Sequence, residues 1–258
     1  MPNLVRRLNF PGHSGSPIDR PKLGKLTATT LSEGIDLSNQ ILTDSDVSIT
    51  PLEVGLQTIL TDRMLARAPA AMRSLIVDEH KRAWKEKLDI DLLGLFSGFS
   101  LGLSAAGSAF TVGGLGAGQA RISGNAEPGP KPHFAVLHPY AAWDVRAGII
   151  PLSSGNAAAG GIDSVSSEII RNSTLGRLFS VPIWENGLIS IDGSDDGYSA
   201  IFSKEAIMLF MVDEGSMRPQ RDESARAIEL NFVGEYGYGE WVDSYGYFFL
   251  NDLLAPTA

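Results

Sequence analysis

The chain contains no cysteine. Disulfides, thiolate metal centres and cysteine nucleophiles are therefore excluded, while the redox compartment stays open. Histidine is scarce too. His13, His80, His133 and His138 are the only four, and no two stand at the spacing of a metal-binding pair. Each reads as structural: His80 on the charged side of a helix, His138 as a turn residue before Pro139. Positive charge is short, with 21 Lys and Arg against 30 Asp and Glu for a net −9. An acidic surface repels phosphate backbones, which argues against sequence-reading nucleic-acid binding as the main role. A secretory signal is lacking as well, because Arg6 and Arg7 interrupt any apolar start, so a cytosolic location is expected.

Long hydrophobic runs are almost absent. The exception, "LLGLFSGFSLGLSAAGSAFTVGGLGAGQA" over residues 92–120, is uncharged and places Gly94, Gly98 and Gly102 four apart, as in paired membrane helices. Glycine and serine fill much of it, and Asp89 and Asp91 flank it. It is read as a connection rather than a span. Aromatic residues are only 8% of the chain, yet eight of them crowd into "NFVGEYGYGEWVDSYGYFFLND", residues 231–252.

Signatures of catalysis fail one after another. "GGLGAGQA" has Gly114, Gly116 and Gly118 but lacks the third spaced glycine and later acid of a dinucleotide site, so its small residues read as close packing. "GHSGS" (12–16) lacks the strand and second spaced glycine of a nucleophile elbow. "DGSDDG" (192–197) sets Asp192, Ser194, Asp196 and Gly197 at calcium-loop positions, but Ser203 stands where a bidentate Glu is required. A β-turn is the favoured reading. No carboxylate pair stands out for acid–base work. No catalytic, cofactor-binding or metal-ligating residue is assigned, no cofactor is expected, and the chain is read as a non-enzyme.

What is present is an ordered series of elements. Residues 1–25 hold Arg6, Arg7, Arg20, Lys22 and Lys25 against Asp19 alone, a basic arm on an acidic body. A polar excursion follows, with extended stretches at 26–31 and 46–51 around Glu33-Gly34. Such a hairpin cannot stand alone and needs a surface to lie on. After Pro69 the period becomes helical from about Ala70 to Leu95, roughly 40 Å at the helical rise. Met72, Leu75, Ile76, Ala83, Trp84, Leu88, Leu92 and Phe96 form its expected buried stripe, and Arg82 with Glu86 a surface pair. A short small-residue helix is expected at "GGLGAGQARISG". "PHFAVLHPY" (132–140) reads as a buried strand followed by the helix "AAWDVRAGII". "GIDSVSSEIIRNSTLG" reads as a helix capped by Asp163 and ended by Gly176. "RLFSVPIWENG" and "GYSAIFSKEAIMLFMV" supply strands, and two long antiparallel strands close the chain. Alternation there places Ile228, Leu230, Phe232, Tyr236 and Tyr238 on one face. It places Trp241, Tyr245, Tyr247 and Phe249 together, opposite Val242, Phe248 and Leu250.

This order resembles the major capsid proteins of tailed bacteriophages, whose fold is shared with encapsulins. The most specific pieces are "VLHPY", the "F-x-KEAI" segment and the closing "YGYGEWVDSYGYFFL", and the resemblance spans about Lys25 to Leu254. It implies an α+β capsid fold with an N-terminal arm (1–25) and an extended β-hairpin loop (26–52). A peripheral domain with a long spine helix and long strands (53–112 and 213–258) and an axial α+β domain (113–212) complete it. It implies self-assembly of hexamers and pentamers into an icosahedral head around double-stranded DNA, held weakly and without specificity. Expected partners are a separate scaffold protein, since the chain has no room for a scaffolding segment unless a precursor is processed, a portal and decoration proteins. The expected location is the virion, with host cytoplasm during assembly. No subunit-crosslinking residue pair is assigned. An encapsulin-like compartment, or a β-rich carbohydrate-binding module using the C-terminal aromatics, are the alternatives.

Overall fold

Alternation of apolar and polar residues after Pro51 draws the chain into strands long enough to carry a helix across them. The computed structural model describes residues 1–256 except 13–14, 31–32, 35, 37–38, 42–43, 68–71 and 155–175. Four strands form one sheet: β1 (Arg6–Asn9), β4 (Leu52–Thr61), β9 (Ile207–Asp222) and β10 (Ala227–Glu240). Their order is β1-β9-β10-β4, with β1 parallel to β9 and the other pairs antiparallel. Helix α1 (Asp62–Arg67) follows β4, and α2 (Met72–Gly94) lies across this sheet.

The buried stripe of α2 runs through His80, Trp84, Leu88, Leu92 and Leu93 to Phe96 in the 3-10 turn Leu95–Gly98. Leu75 and Ala83 are exposed, contrary to the expected stripe, because the helix meets the sheet mainly through its second half. Arg82 pairs with Glu79 at 3.5 Å rather than with Glu86. His80 is only 3% exposed, which corrects its placement on the charged side.

A second sheet has the order β11-β8-β5-β7-β6. It comprises β5 (His133–Leu137), β6 (Arg177–Leu178), β7 (Val181–Glu185), β8 (Asp196–Ser203) and β11 (Gly246–Asp252). Helices α3 (Val112–Gly124) and α4 (Pro139–Ser154) complete this half. Thr111 caps α3 by accepting the Gly114 N–H at 3.2 Å. A Cβ at Gly118 would stand 2.6 Å from Ile201 Cγ2, so glycine is needed for α3 to lie against β8. That is the close-packing role expected of this run. Pro139 opens α4, where its missing N–H costs nothing.

The closing strands do not pair with each other. β10 joins the four-stranded sheet and β11 pairs antiparallel with β8, because the 3-10 turn Asp243–Tyr245 carries the chain from one sheet to the other. The expected alternation therefore fails over 241–245 and holds from Tyr247 onward, with Tyr247 and Phe249 buried and Phe248 and Leu250 less so. The boundary expected at 212/213 falls inside β9.

The excursion is a hairpin of β2 (Ile18–Leu23) and β3 (Asp44–Ile49), not of 26–31 and 46–51. Leu26, in the threonine-rich stretch, stays 59% exposed, whereas Ile18 and Ile49 pair across the hairpin and pack on Met208 and Phe210. Met208 and Phe210 lie on one face of β9 while Leu209 and Met211 join the main core on the other. Residues expected as a free arm are partly docked: Leu4 and Val5 are buried and β1 extends the sheet. His13 and the helix expected over 161–176 lie outside the described residues, except Gly176.

Candidate assembly surfaces

The aromatic tail is where the spine helix locks onto the long sheet. Phe232 and Tyr236 meet the Trp84 ring edge-on, with centroids 6.1 and 5.8 Å away. The glycines between them make room. A Cβ at Gly234 would stand 2.8 Å from Trp84 Nε1, and one at Gly215, whose φ is +92°, 2.5 Å from Phe232 Cε1. Both lie where the β9–β10 register shifts. Tyr236 donates its hydroxyl hydrogen to Asp91 Oδ2 at 2.7 Å, and Lys87 pairs with Asp91 Oδ1. Burial, then the Asp91 hydrogen bond, pushes the Tyr236 phenol well above its ordinary pKa, and the Asp91 bond raises that of Lys87. These rings are enclosed by the protein itself, which leaves no open platform for a sugar to stack on.

The hairpin has the opposite character. Its base is anchored by Ile18 and Ile49, and Arg20 lies 5.1 Å from the centre of the Phe10 ring, which meets Phe210 edge-on. Beyond the base, Thr27 N–H donates to Gln40 Oε1 at 2.9 Å, and Lys25 Nζ to the Ala126 carbonyl at 2.7 Å. Leu23, Leu26 and Ile41 are uncovered, Ile41 at 88% exposure. Leu23 ends β2 while Leu26 and Ile41 lie beyond the strands, and exposed apolar side chains gathered in this way mark a candidate contact surface.

His80 Nε2 lies 2.6 Å from Thr58 Oγ1, joining α2 to β4. His133 Nε2 contacts the Gly129 carbonyl at 3.0 Å. His138 Nδ1 accepts the Tyr140 N–H at 3.2 Å, and burial holds its pKa below the ordinary value. In "GHSGS", Gly15 N–H donates to Glu235 Oε1 at 2.6 Å. In "DGSDDG", Asp192 Oδ1 accepts the Ser194 and Asp196 N–H groups at 2.8 and 2.9 Å. Asp196 Oδ1 takes the Gly107 N–H at 2.7 Å. Those carboxylates cap a turn. No group of His, Asp and Glu among the described residues is arranged to hold a metal ion. No described helix is long and apolar enough to cross a membrane.

One feature escaped sequence reasoning. The β6–β7 turn, Phe179–Ser180, has φ values of 50° and 65° with no glycine or asparagine to signal it. It holds the Phe179 ring outward, beside a cavity of about 380 Å³ that also takes in Lys131 and Arg177.

No family model and no curated protein sequence matches the chain. Solved structures do. The head structure of Helicobacter pylori bacteriophage KHP40 is similar with a TM-score of 0.77 at 14% identity, over 96% of this chain and 88% of that one. The acid-stable capsid of Helicobacter pylori bacteriophage KHP30 gives 0.77 and 14% over 97% and 88%. A Mycobacterium phage Che8 chain gives 0.72 and 16% over 96% and 89%. Covered over 96–97% of its length by these matches, this chain has the fold of tailed-phage major capsid proteins.

Proposed function

We propose that the chain is the structural subunit of a tailed-phage head, a major capsid protein that self-assembles into an icosahedral shell around double-stranded DNA. The observation that carries this is the hairpin, where Leu23, Leu26 and Ile41 are exposed, set on a fold shared with phage capsids over 96% of the chain. In this reading the chain has no catalytic role. Residues 53–112 with 213–258 form the peripheral domain and 113–212 the axial domain, with β11 crossing into the axial sheet. Residues 1–25 supply the arm, with β1 in the long sheet and β2 in the hairpin, and 26–52 complete the extended loop. Hexamers and pentamers build the shell in the host cytoplasm and remain in the virion. A separate scaffold, a portal and decoration proteins are the further partners. The net charge of −9 supports weak, non-specific contact with packaged DNA.

Electron microscopy of the purified chain, alone and with a candidate scaffold, tests the proposal. Capsomers or shells are expected. A persistent monomer under every assembly condition would sink it. Shells that carry protein cargo rather than DNA from the infected cell would favour a compartment of the encapsulin kind.

A further inference from the structure

The Phe179–Ser180 turn stands at one corner of the five-stranded sheet. Its two left-handed residues are an unusual choice, because non-glycine side chains favour that region only for Asn and Asp. The Phe179 ring lies over Gly116, where a Cβ would come within 3.2 Å of it. Lys131, Arg177, Gln119, Phe134 and Pro182 line the adjoining cavity, and no acidic residue among the described ones does. Neither Lys131 nor Arg177 forms an ion pair among the described residues. Two cations with no ion-pair partner among the described residues, beside an outward aromatic ring on a chain of net charge −9, suit an acidic segment with an apolar residue next to it.

The chain carries such a segment at the diagonally opposite corner. Ile191, Asp192 and Asp195 are exposed in the turn that leads into β8. That turn is rigid: Asp192 N–H donates to the Asp196 carbonyl at 2.8 Å, and Leu253 N–H to the Asp195 carbonyl at 2.6 Å. Little conformational entropy is lost when a pre-ordered turn docks. His133 pairs with Ser203 at the far end of β8, and β7 runs parallel to β5, so the cavity lies at the opposite end from Asp196. Three strand spacings across and eight residues along put the two corners about 30 Å apart. The complementarity cannot be satisfied within one chain.

We propose that the cavity receives the Ile191–Asp195 turn of a second copy. Arg177 and Lys131 meet the Asp195 and Asp192 carboxylates, and Ile191 rests beside Phe179. Donor and receptor are different patches, so the contact is head-to-tail, the type that builds rings when the rotation between copies closes. The inference rests on the shell-subunit reading and names the contact that closes its capsomers.

The test uses the full chain and charge reversal. Arg177→Glu and Asp195→Lys, each alone, are expected to lower the yield of rings or shells by about tenfold or more. Because Asp195 has a φ of 62°, Asp195→Asn, which tolerates that backbone, is expected to lower the yield too, with thermal unfolding like the parent's. The double variant, with the charges exchanged, is expected to recover to within about twofold of the parent. Because the chain has no cysteine, Ser180→Cys with Asp195→Cys gives a second readout: mild oxidation of assembled particles should produce a ladder of linked chains. Single variants that assemble like the parent, or assembled particles that yield only single chains on oxidation, overturn the contact while leaving the shell reading in place. Normal shells with reduced DNA content in the Arg177→Glu variant also overturn it, and would assign the cavity to nucleic acid. A parent chain that never assembles removes both.

Discussion

At the scale of single residues, glycine placement explains why the tail is so rich in both glycine and rings. Gly234 leaves the space that Trp84 occupies, so Gly234→Ala forces the indole against new atoms. A loss of about 1–3 kcal/mol is expected from such overpacking, read as a lower urea midpoint. Tyr236→Phe keeps the ring but removes the hydrogen bond to Asp91, which retains only Lys87. It should cost about 1–3 kcal/mol, as for a hydrogen bond to a charged group, without changing the fold's circular dichroism. The spacing of Trp84, Leu88, Leu92 and Phe96 made the buried stripe legible in advance. His80 was not legible. Glu79 and Lys81 beside it give a charged sequence context, and only the docking of α2 on β4 turns that ring inward to Thr58.

At the scale of elements, the hairpin and the spine helix differ in where their stability comes from. α2 is held by burial of one stripe, whereas none of the described residues over 24–41 is buried. Excising residues 26–41 and closing the gap with a short glycine linker should leave the unfolding free energy within about 0.5 kcal/mol of the parent. The same variant should form no shells by electron microscopy. Removing residues 1–10 is expected to behave differently, because Leu4, Val5 and β1 belong to the core. A clear fall in melting temperature is expected, and an unchanged melting curve would show that β1 is dispensable. The second extended stretch, read at 46–51, overlaps β3, but the first, read in Thr-rich 26–31, does not coincide with β2 at Ile18–Leu23. The register was not legible, because the pairing of Ile18 with Ile49 depends on Met208 and Phe210 far along the chain.

At the scale of the whole molecule, two carboxylates stand against stability at neutral pH. Burial raises the Glu240 pKa, with Asp243 adding to it, and the carboxylate lies against Gly98. Burial likewise raises that of Asp144, with Asp252 contributing, against a lowering hydrogen bond from the Phe110 backbone. A raised carboxylate pKa means the folded state binds protons more tightly than the unfolded one. These two groups therefore oppose folding above their raised pKa values, and the penalty is relieved as pH falls through them toward the ordinary range. Glu240→Gln should raise the melting temperature at pH 7 and flatten the acid side of the stability profile. A variant with the parent's melting temperature at every pH would refute this.

The sequence by itself determined that no thiol chemistry exists here, that one long helix precedes an α+β region, and that the tail is strand-forming. Those are properties of composition and of short-range periodicity, which neighbouring residues carry among themselves. Only the tertiary structure decided that β10 and β11 enter different sheets, that the first residues of the arm join the core, and that the Phe179–Ser180 turn points a ring outward. Strand partners, helix docking and turn strain are set by contacts between residues often more than a hundred positions apart, and no local pattern encodes which of several apolar faces will meet.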